Sequence, residues 1–255
     1  MCGKAKTSFN LIQPIVSIAN RNPALTFEVN IKGSWNVFEA ARTSEKVKSL
    51  VIASTDKVYG EPIQLPISEK HPLLAKYPYD ASKACMERLA RTYFTTYDLP
   101  VSITRCCNIY GGADINFSRI IPGTIKSVLM GQNPVIRSDG TPVRDFIFVK
   151  DAVSAYLTLA EQMDKKNVKG EAFNFSNNDP INMLDLVKKI IEISGRTDVK
   201  PDVQGTKKPD AEIDEQYLTS ERAKEVLGWE PNYTLESGLK ETIEWYKDYF
   251  SKIQN

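Results

Sequence analysis

Apolar residues recur at helical spacing along most of this chain, and short, continuously apolar runs separate the helical segments. An amphipathic helix is predicted over Phe27–Arg42. The run KSLVIAST that follows is typical of a buried parallel strand. A second helix from Tyr79 to about Tyr97 and a second apolar strand within PVSITRCCNIYG continue the alternation. Strands that alternate with helices predict a parallel sheet with helices on its faces.

The second half of the chain carries further helical and extended patterns. Helices are predicted within FSRIIPGTIKSVLMG, KDAVSAYLTLAEQM, NMLDLVKKIIEISG, SERAKEVLGW and LESGLKETIEWYKDYF. A strand is predicted within GEAFNFSN. The segment NPVIRSDGTPVRDFIFV is expected to form a hairpin-like pair with Asp139–Gly140 at its turn.

Composition and charge exclude several classes of protein. Hydrophobic residues make up 42% of the chain and charged residues 25%, which is typical of a soluble globular protein. A formal net charge of +1 gives no indication of binding to nucleic acid or to an anionic membrane surface. No apolar run approaches the roughly 20 residues of a membrane span. The N-terminal segment lacks the apolar core of a signal peptide.

The cysteines and the histidine give no indication of a metal site. Cys2, Cys85, Cys106 and Cys107 show neither metal-ligand spacing nor a disulfide framework, which suits a reducing cytoplasm. The single histidine, His71, lies in a predicted loop. We therefore expect a cytoplasmic protein with no bound metal and no histidine-based catalysis.

Tyr79 and Lys83 stand four residues apart and therefore share one face of the predicted helix. An ammonium held beside a phenol favours the tyrosinate and lowers the pKa of the tyrosine toward a value useful for proton abstraction. The same spacing also occurs on helix faces that only contact water. The spacing alone leaves both interpretations open.

Several motifs follow one another in a fixed order between about Gln13 and Phe250. They are VNIKGSWNVFEAAR, VIASTDKVYG, YPYDASK, RCCNIYGG, SRIIP, DGTPVRDFIFVKDAV, FNFSN and LGWEP. Together they resemble the extended short-chain dehydrogenase/reductase family, which contains the NAD-dependent nucleotide-sugar epimerases and dehydratases. The resemblance implies an α/β fold with a truncated Rossmann-type parallel sheet and a smaller C-terminal lobe. It assigns residues 1–170 to the NAD-binding domain, with 112–145 partly in the substrate lobe, and 171–255 to that lobe.

The resemblance also implies roles for the residues around the tyrosine. The Tyr79 phenolate would take the proton from the sugar 4-hydroxyl, and Lys83 would hold the nicotinamide ribose of NAD. Thr55 would hydrogen-bond the sugar oxygen at C4. Ser54 is a further expected cofactor contact. The expected substrate is a nucleoside-diphosphate sugar.

The two residues after Thr55 favour a dehydratase within this family. Asp56 resembles the acid that removes the sugar 6-hydroxyl as water. Many dehydratases then carry a glutamate, whereas Lys57 stands here and resembles the CDP-glucose 4,6-dehydratase branch. In the implied reaction hydride leaves C4 for NAD, water is lost across C5 and C6 with Asp56 and Lys57 assisting, and hydride returns to C6. Asp56 as a turn cap and Lys57 as a surface lysine are the structural alternatives.

Three residues in the second half resemble contacts to the nucleotide-sugar. Arg144 is the expected pyrophosphate clamp, since a guanidinium matches phosphate oxygens in a bidentate way. Asn108 and Arg119 resemble further contacts, with a loop cap and a surface ion pair as their alternatives. Asp145 and Asp151 are expected to cap backbone amides.

No glycine-rich phosphate turn of the form G-x-x-G-x-x-G occurs among the 13 glycines. By the resemblance, the sequence starts near the family's fourth strand, with SFNLIQ as its remnant. We therefore expect this chain alone to bind NAD weakly. A non-catalytic sugar-nucleotide-binding or dimer-partner module and a 4-epimerase stay open as alternatives, as do the nucleotide and the hexose.

The resemblance further implies a homodimer through the helices over Phe27–Arg42 and Tyr79–Tyr97. In the family's strand order, SFNLIQ or KSLVIAST would form an open sheet edge. Unpaired backbone groups on an apolar edge strand promote pairing with other chains. Low solubility, or an edge covered by another segment, is therefore expected.

Overall fold

The computed structural model describes residues 7–10, 15–205 and 213–253. The strands are β1 (Thr7–Asn10), β2 (Ser49–Ala53), β3 (Val101–Cys106), β4 (Asn108–Tyr110), β5 (Val135–Ile136), β6 (Val143–Arg144), β7 (Phe146–Phe148), β8 (Ala172–Phe175), β9 (Ile181–Asn182), β10 (Asp202–Val203) and β11 (Glu215–Gln216). The α-helices are α1 (Val16–Arg21), α2 (Pro23–Phe27), α3 (Gly33–Arg42), α4 (Pro78–Tyr97), α5 (Ile120–Leu129), α6 (Val149–Glu161), α7 (Met183–Ile193), α8 (Glu221–Leu227) and α9 (Leu235–Ile253). A π-helical stretch over Glu28–Lys32 joins α2 to α3, and a 3₁₀ turn covers Asp56–Tyr59.

The first of two compact units contains a four-stranded parallel sheet in the order β1-β2-β3-β8. This unit comprises the chain up to Cys107, Ala152–Phe175 and Leu218–Glu230. Every residue of β3 is buried, as the continuous apolar pattern of that strand predicts. The predicted α/β class with a Rossmann-type parallel sheet is confirmed.

The core of the first unit packs α3 and α4 against the sheet. Its buried members include Phe38 from α3, Leu50 and Ile52 from β2, Met86 from α4 and Ile103 from β3. Burial of such side chains stabilises a fold by about 1.5–3 kcal/mol each. This core holds the N-terminal half of α4 beside the carboxyl ends of β2 and β3.

Strand β2 is not an edge strand, because it lies between β1 and β3. The run KSLVIAST is therefore covered on both sides. Strand β1 pairs in parallel with β2, with Thr7 opposite Ser49, and has no second neighbour among the described residues. Of the two predicted edge strands, SFNLIQ and KSLVIAST, the first lies at the edge in its described residues 8–10.

The second unit comprises Asn108–Asp151, Ser176–Tyr217 and Pro231–Asn255. Its strands form three small groups, which are β10-β5, β11-β6-β9 and β4-β7. An apolar core joins α5, α7 and α9 and includes Ile125, Leu186, Leu239, Ile243 and Tyr246. The apolar spacing predicted for the last helix therefore serves packing.

The predicted hairpin around Asp139–Gly140 is wrong. The turn is present, since the Thr141 amide donates to Asp139 Oδ1 over 3.0 Å and Gly140 has a φ of 84°. The strands on either side pair elsewhere: β5 pairs with β10, β6 with β9 and β11, and β7 with β4. A local turn signal does not determine which strands then pair.

The chain returns to the first unit after the second has begun. Residues Leu218–Glu230, which the sequence placed in a continuous C-terminal lobe, belong to the first unit. Leu218 bridges to Ile67, and Arg222 donates to the carbonyl of Ala172 over 3.0 Å. Within the described ranges, no helix is long and apolar enough to cross a membrane.

Candidate active site

Helix α4 carries its functional residues on one buried face. Pro78 occupies the first helical position, where its fixed φ suits a helix start and its missing N–H costs nothing. Tyr79, Lys83 and Glu87 follow at intervals of four residues and are 7%, 2% and 0% exposed. The alternative of a Tyr79–Lys83 pair on a solvated helix face is therefore wrong.

The Lys83 ammonium joins α4 to the carboxyl end of β2. Its Nζ donates to the Ala53 carbonyl over 2.8 Å and lies 5.9 Å from the centroid of the Tyr79 ring. Burial lowers the pKa of Lys83 to about 8, and the negative charge of Glu87 partly opposes this shift. At neutral pH most of the lysine is therefore still charged beside the tyrosine.

Replacing Lys83 by methionine is expected to stabilise the fold at pH 7. Compared with the usual pKa of 10.5, the lowered pKa means that the buried charge costs about 3 kcal/mol of folding free energy. The variant avoids this cost, and losing the hydrogen bond to Ala53 offsets about 1 kcal/mol of the gain. Between about pH 8 and 10.5 the unfolded chain binds more protons than the folded chain, so wild-type stability rises with pH there. The advantage of the variant should therefore shrink toward pH 10.

Urea unfolding of both proteins at pH 7 and pH 10 measures this difference. The exposed Lys166, replaced by methionine, is the matched control and should change stability little at either pH. A Lys83→Met variant that is less stable than wild type at pH 7, or whose advantage is the same at both pH values, would contradict the predicted burial cost.

The turn after β2 brings a carboxylate, a hydroxyl and an ammonium together. Thr55 Oγ1 donates to Asp56 Oδ1 over 2.9 Å, and Lys57 Nζ donates to Asp56 Oδ2 over 2.8 Å. The Asp56 side chain is 3% exposed and the Lys57 side chain 24%. Lys57 is therefore a half-buried ion-pair partner of Asp56 and not a surface lysine. Its ammonium is a proton source in direct contact with the Asp56 carboxylate.

The predicted residues of the first unit gather at one edge of its sheet. The Ser54 amide donates to the Thr104 carbonyl over 2.8 Å, which joins the ends of β2 and β3. Helix α4 packs against the 3₁₀ turn that begins with Asp56. The Ser54 hydroxyl is buried and has no hydrogen-bond partner in the part of the chain that the structure describes. Ligands of open α/β sheets bind at this carboxyl edge.

Asn30 supports α4 from the π-helical stretch. It is fully buried, and its Nδ2 donates to Ser82 Oγ over 2.9 Å. The Ser82 hydroxyl donates in turn to the Tyr79 carbonyl over 2.7 Å. Asn30 thus fixes the first turn of α4.

The sequence interpretation missed a second carboxyl group near the ion pair. Asp80 follows Tyr79 and is 7% exposed. Burial raises the pKa of Asp80 to about 6. A hydrogen bond from the Tyr77 backbone and the positive charge of Lys57 oppose this rise, whereas the negative charge of Asp56 adds to it. Asp80 therefore titrates close to neutral pH beside the Asp56–Lys57 pair.

Three further buried polar residues of the first unit were also missed: Tyr59, Glu87 and Arg105. An arginine inside the apolar strand VSITRC was a visible signal, because an unpaired buried charge is too costly to tolerate. Glu87 continues the four-residue spacing of Tyr79 and Lys83.

The three predicted substrate contacts lie in the second unit and are engaged within it. Arg144 donates from Nη1 to the Val143 and Asp214 carbonyls over 2.8 and 3.2 Å, and from Nη2 to the Ile213 carbonyl over 2.6 Å. Arg119 pairs with Asp114 over 2.8 Å. Asn108 Nδ2 donates to the Asp145 carbonyl over 3.0 Å. Their role toward a ligand stays a prediction.

Asp145 and Asp151 cap backbone amides, which confirms that prediction. Asp145 accepts from the amides of Phe146 and Asn178 over 2.7 and 2.9 Å and from the Ser176 hydroxyl. Burial raises the pKa of Asp145 despite these bonds. Asp151 accepts from the amides of Asn232 and Tyr233 over 2.8 and 3.1 Å. Across the described ranges, no group of three or more His, Cys, Asp and Glu side chains could hold a metal ion.

Comparison with known proteins gives consistent similarities. The family model described as GDP-mannose 4,6 dehydratase matches residues 13–242. A dTDP-D-glucose 4,6-dehydratase of Bos taurus is 30% identical over 232 residues, which cover 89% of this chain and 63% of the relative. The chain thus spans less than two thirds of the length of that relative.

Two solved structures align over nearly the whole chain. The UDP-glucose 4-epimerase of Thermotoga maritima with UDP-glucose has a TM-score of 0.87 and 29% identity, covering 96% of this chain and 78% of that chain. The dTDP-glucose 4,6-dehydratase of Bacillus anthracis in complex with NAD has a TM-score of 0.80 and 30% identity, covering 96% and 74%.

Proposed function

This chain belongs to the GDP-mannose 4,6 dehydratase family, and we propose that it acts as a nucleoside-diphosphate-hexose 4,6-dehydratase that uses NAD. The resemblance to the nucleotide-sugar epimerases and dehydratases is thereby confirmed. The dehydratase assignment rests on one observation above all. A buried Asp56, in contact with Thr55 and Lys57, lies in a turn against which the Tyr79–Lys83 helix packs.

Each of these residues has a chemical task in the proposed reaction. Tyr79, held beside the Lys83 ammonium, takes the proton of the sugar 4-hydroxyl, and one proton would return to C5 when the hydride returns to C6. Thr55 donates to or accepts from the oxygen at C4. The Asp56–Lys57 pair delivers a proton to the leaving 6-hydroxyl and accepts the proton from C5, which a neighbouring 4-ketone makes acidic. The pair must therefore act as both acid and base, for which a directly bonded carboxylate and ammonium are suited.

The residues present fit the nicotinamide end of NAD. Lys83 carries a buried ammonium with three donor hydrogens, of which the bond to Ala53 engages one. The Ser54 hydroxyl is buried without a partner among the described residues, a costly state that a ligand would relieve. Lys83, Tyr79 and Ser54 would hold the nicotinamide ribose. When bound, NAD would accept the hydride from C4 and return it to C6.

The identity of the nucleotide is a finer proposal. Lys57 in place of a glutamate supports CDP-glucose, whereas the bovine relative and the Bacillus anthracis neighbour are both named for dTDP-glucose. In the second unit, Arg144, Arg119 and Asn108 are the proposed contacts to the nucleotide-sugar. Backbone carbonyls engage three of the five guanidinium hydrogens of Arg144, so it is the least favoured of the three.

A 4-epimerase is the second candidate. The alignment with the Thermotoga maritima UDP-glucose 4-epimerase, at a TM-score of 0.87, favours it. An epimerase needs Tyr79 and Lys83 but has no water to remove. The ion-paired Asp56 and Lys57 would then have no chemical task, which is why dehydration is preferred.

Product analysis tests the proposal. The chain is incubated with NAD and, separately, with the glucose and mannose forms of dTDP-, CDP-, UDP- and GDP-hexoses. The expected product is a 4-keto-6-deoxy sugar nucleotide, seen by mass spectrometry as the loss of one water, with no net formation of reduced cofactor. A C4 epimer of unchanged mass would move the assignment to epimerase. Binding of the sugar nucleotide without any product would favour a non-catalytic module.

A homodimer through the helices over Phe27–Arg42 and α4 is also proposed. Large apolar side chains are exposed there, namely Phe27, Val29, Trp35 and Tyr97. Burying such a patch against a second copy removes apolar area from water. Light scattering should give twice the monomer mass, and Trp35→Lys should shift the equilibrium toward monomer. A wild-type monomer at high concentration would contradict this proposal.

A further inference from the structure

Three buried polar side chains lie behind the candidate catalytic residues of the first unit. Tyr59 and Glu87 are 0% exposed and Arg105 is 2% exposed. Among the described residues, their side-chain hydrogen bonds run to one another and to Asn174, and none runs to a candidate catalytic side chain. Any effect on the reaction must therefore pass through the residues that they hold.

Glu87 and Arg105 join helix α4 to strand β3. Arg105 Nε donates to Glu87 Oε1 over 3.0 Å, and Arg105 Nη2 donates to Glu87 Oε2 over 2.5 Å. A bidentate pair of this kind fixes orientation as well as distance. Because Glu87 shares the helix face of Tyr79 and Lys83, the pair also fixes the rotation of that face relative to the sheet.

Arg105 uses its remaining nitrogen to hold the turn after β2. Nη1 donates to the Tyr59 hydroxyl over 2.8 Å, and the guanidinium carbon lies 4.9 Å from the centroid of the Tyr59 ring. The Tyr59 hydroxyl donates to Asn174 Oδ1 over 2.6 Å. Tyr59 is the last residue of the 3₁₀ turn that begins with Asp56. The turn is thereby held to both β3 and β8.

We propose that Tyr59, Glu87 and Arg105 form a positioning bracket that keeps the Asp56–Lys57 turn in register with the Tyr79–Lys83 face of α4. The bracket rests on the proposed function, since it presumes that both pairs act on one substrate. Stability alone does not explain these residues. Well-packed apolar side chains in place of a buried ion pair are often equally or more stabilising, but they make no directional bonds, whereas the guanidinium fork fixes the orientation of each partner.

Tyr59→Phe tests the bracket, because it removes one hydroxyl and keeps the ring. Hydrogen exchange of the amides of residues 56–60 should become about 5- to 10-fold faster, the equivalent of one buried hydrogen bond. The matched control is Tyr246→Phe in the second unit, where the hydroxyl donates to the Asp114 carbonyl over 2.6 Å. The control should leave exchange of residues 56–60 unchanged.

Turnover is the second readout. Displacing the turn should lower kcat of Tyr59→Phe about 10- to 100-fold, with KM little changed, because misplacement of reacting groups acts on the chemical step. The Tyr246→Phe control should keep the wild-type kcat. Arg105→Lys, which retains the charge and loses the fork, should behave like Tyr59→Phe and replaces it if that variant does not fold.

Two results would overturn the bracket. One is unchanged exchange of residues 56–60 in both Tyr59→Phe and Arg105→Lys. The other is faster exchange with wild-type kcat, which would show that the contacts hold the turn without serving the reaction. If the wild-type chain turns over none of the sugar nucleotides, the proposed function fails. The exchange measurement then still decides whether the bracket holds the turn.

Discussion

Replacing Tyr79 by phenylalanine is expected to lower kcat by about 10²- to 10⁴-fold, the usual effect of losing a general base. The hydroxyl is the only group removed, and the ring stays in place beside Lys83, 5.9 Å from its Nζ. KM for the sugar nucleotide should change little, because the lost group acts on the proton of the 4-hydroxyl in the transition state. Steady-state rates with the substrate selected by the product screen provide the measurement.

Tyr97→Phe is the matched control for this variant. Tyr97 ends the same helix and is 54% exposed, so its hydroxyl is remote from the first turn of α4. The control should keep the wild-type kcat. Equal loss in both variants, or wild-type kcat in Tyr79→Phe, would remove Tyr79 from the mechanism.

Asp56→Asn is expected to reduce formation of the 6-deoxy product by about 10²-fold or more. The amide has nearly the same shape and can still accept from Lys57, so the loss reflects proton transfer and not the turn itself. In deuterated water, substrate recovered from the variant should gain little deuterium at C5, because the Lys57 ammonium has no lone pair to accept that proton and the carboxylate is gone. C5 exchange at the wild-type rate would assign that proton to a base other than Asp56.

Asp98→Asn controls for the loss of a carboxylate elsewhere in the first unit. Asp98 is exposed, pairs with Lys169 over 2.7 Å and has a left-handed φ of 54° that asparagine tolerates. Its replacement should leave product formation unchanged. A wild-type rate of 6-deoxy product formation in Asp56→Asn would show that Asp56 has no acid–base role.

Local patterns predicted the part of the site that lies on single elements. The spacing of Tyr79 and Lys83, and the position of Asp56 directly after an apolar strand, are properties of neighbouring residues. The parallel sheet follows from the same alternation of strands and helices. It then brings the ends of β2 and β3 together, because the carboxyl ends of parallel strands meet at one edge.

Partners that are distant in sequence were not predictable in this way. Arg105 binds Tyr59 and Glu87, which lie 46 and 18 residues away, and no periodicity indicates such pairings. The same holds for Arg144. Its residue type suggested a phosphate clamp, but the sequence cannot indicate that backbone carbonyls of residues 213 and 214 accept its hydrogens. Burial of Asp80 likewise depends on tertiary packing.

The hairpin error has the same origin. The Asp139–Gly140 turn is correct locally, because glycine adopts a positive φ without strain. Pairing of the flanking strands is decided by the partners that the rest of the second unit offers, β10 for β5 and β4 for β7. The residue types of a turn thus predict the turn itself, whereas strand pairing depends on the rest of the unit.

The fate of the hydrogen at C4 tests the central claim most directly. A nucleoside-diphosphate hexose carrying deuterium at C4 is incubated with the chain and NAD, and the product is examined by NMR spectroscopy. A 4,6-dehydratase moves this deuterium to C6, where it appears in the new methyl group of a 4-keto-6-deoxy sugar. Deuterium that stays at C4 with inverted configuration would contradict the dehydratase assignment and establish a 4-epimerase. Substrate recovered unchanged would contradict catalysis by this chain.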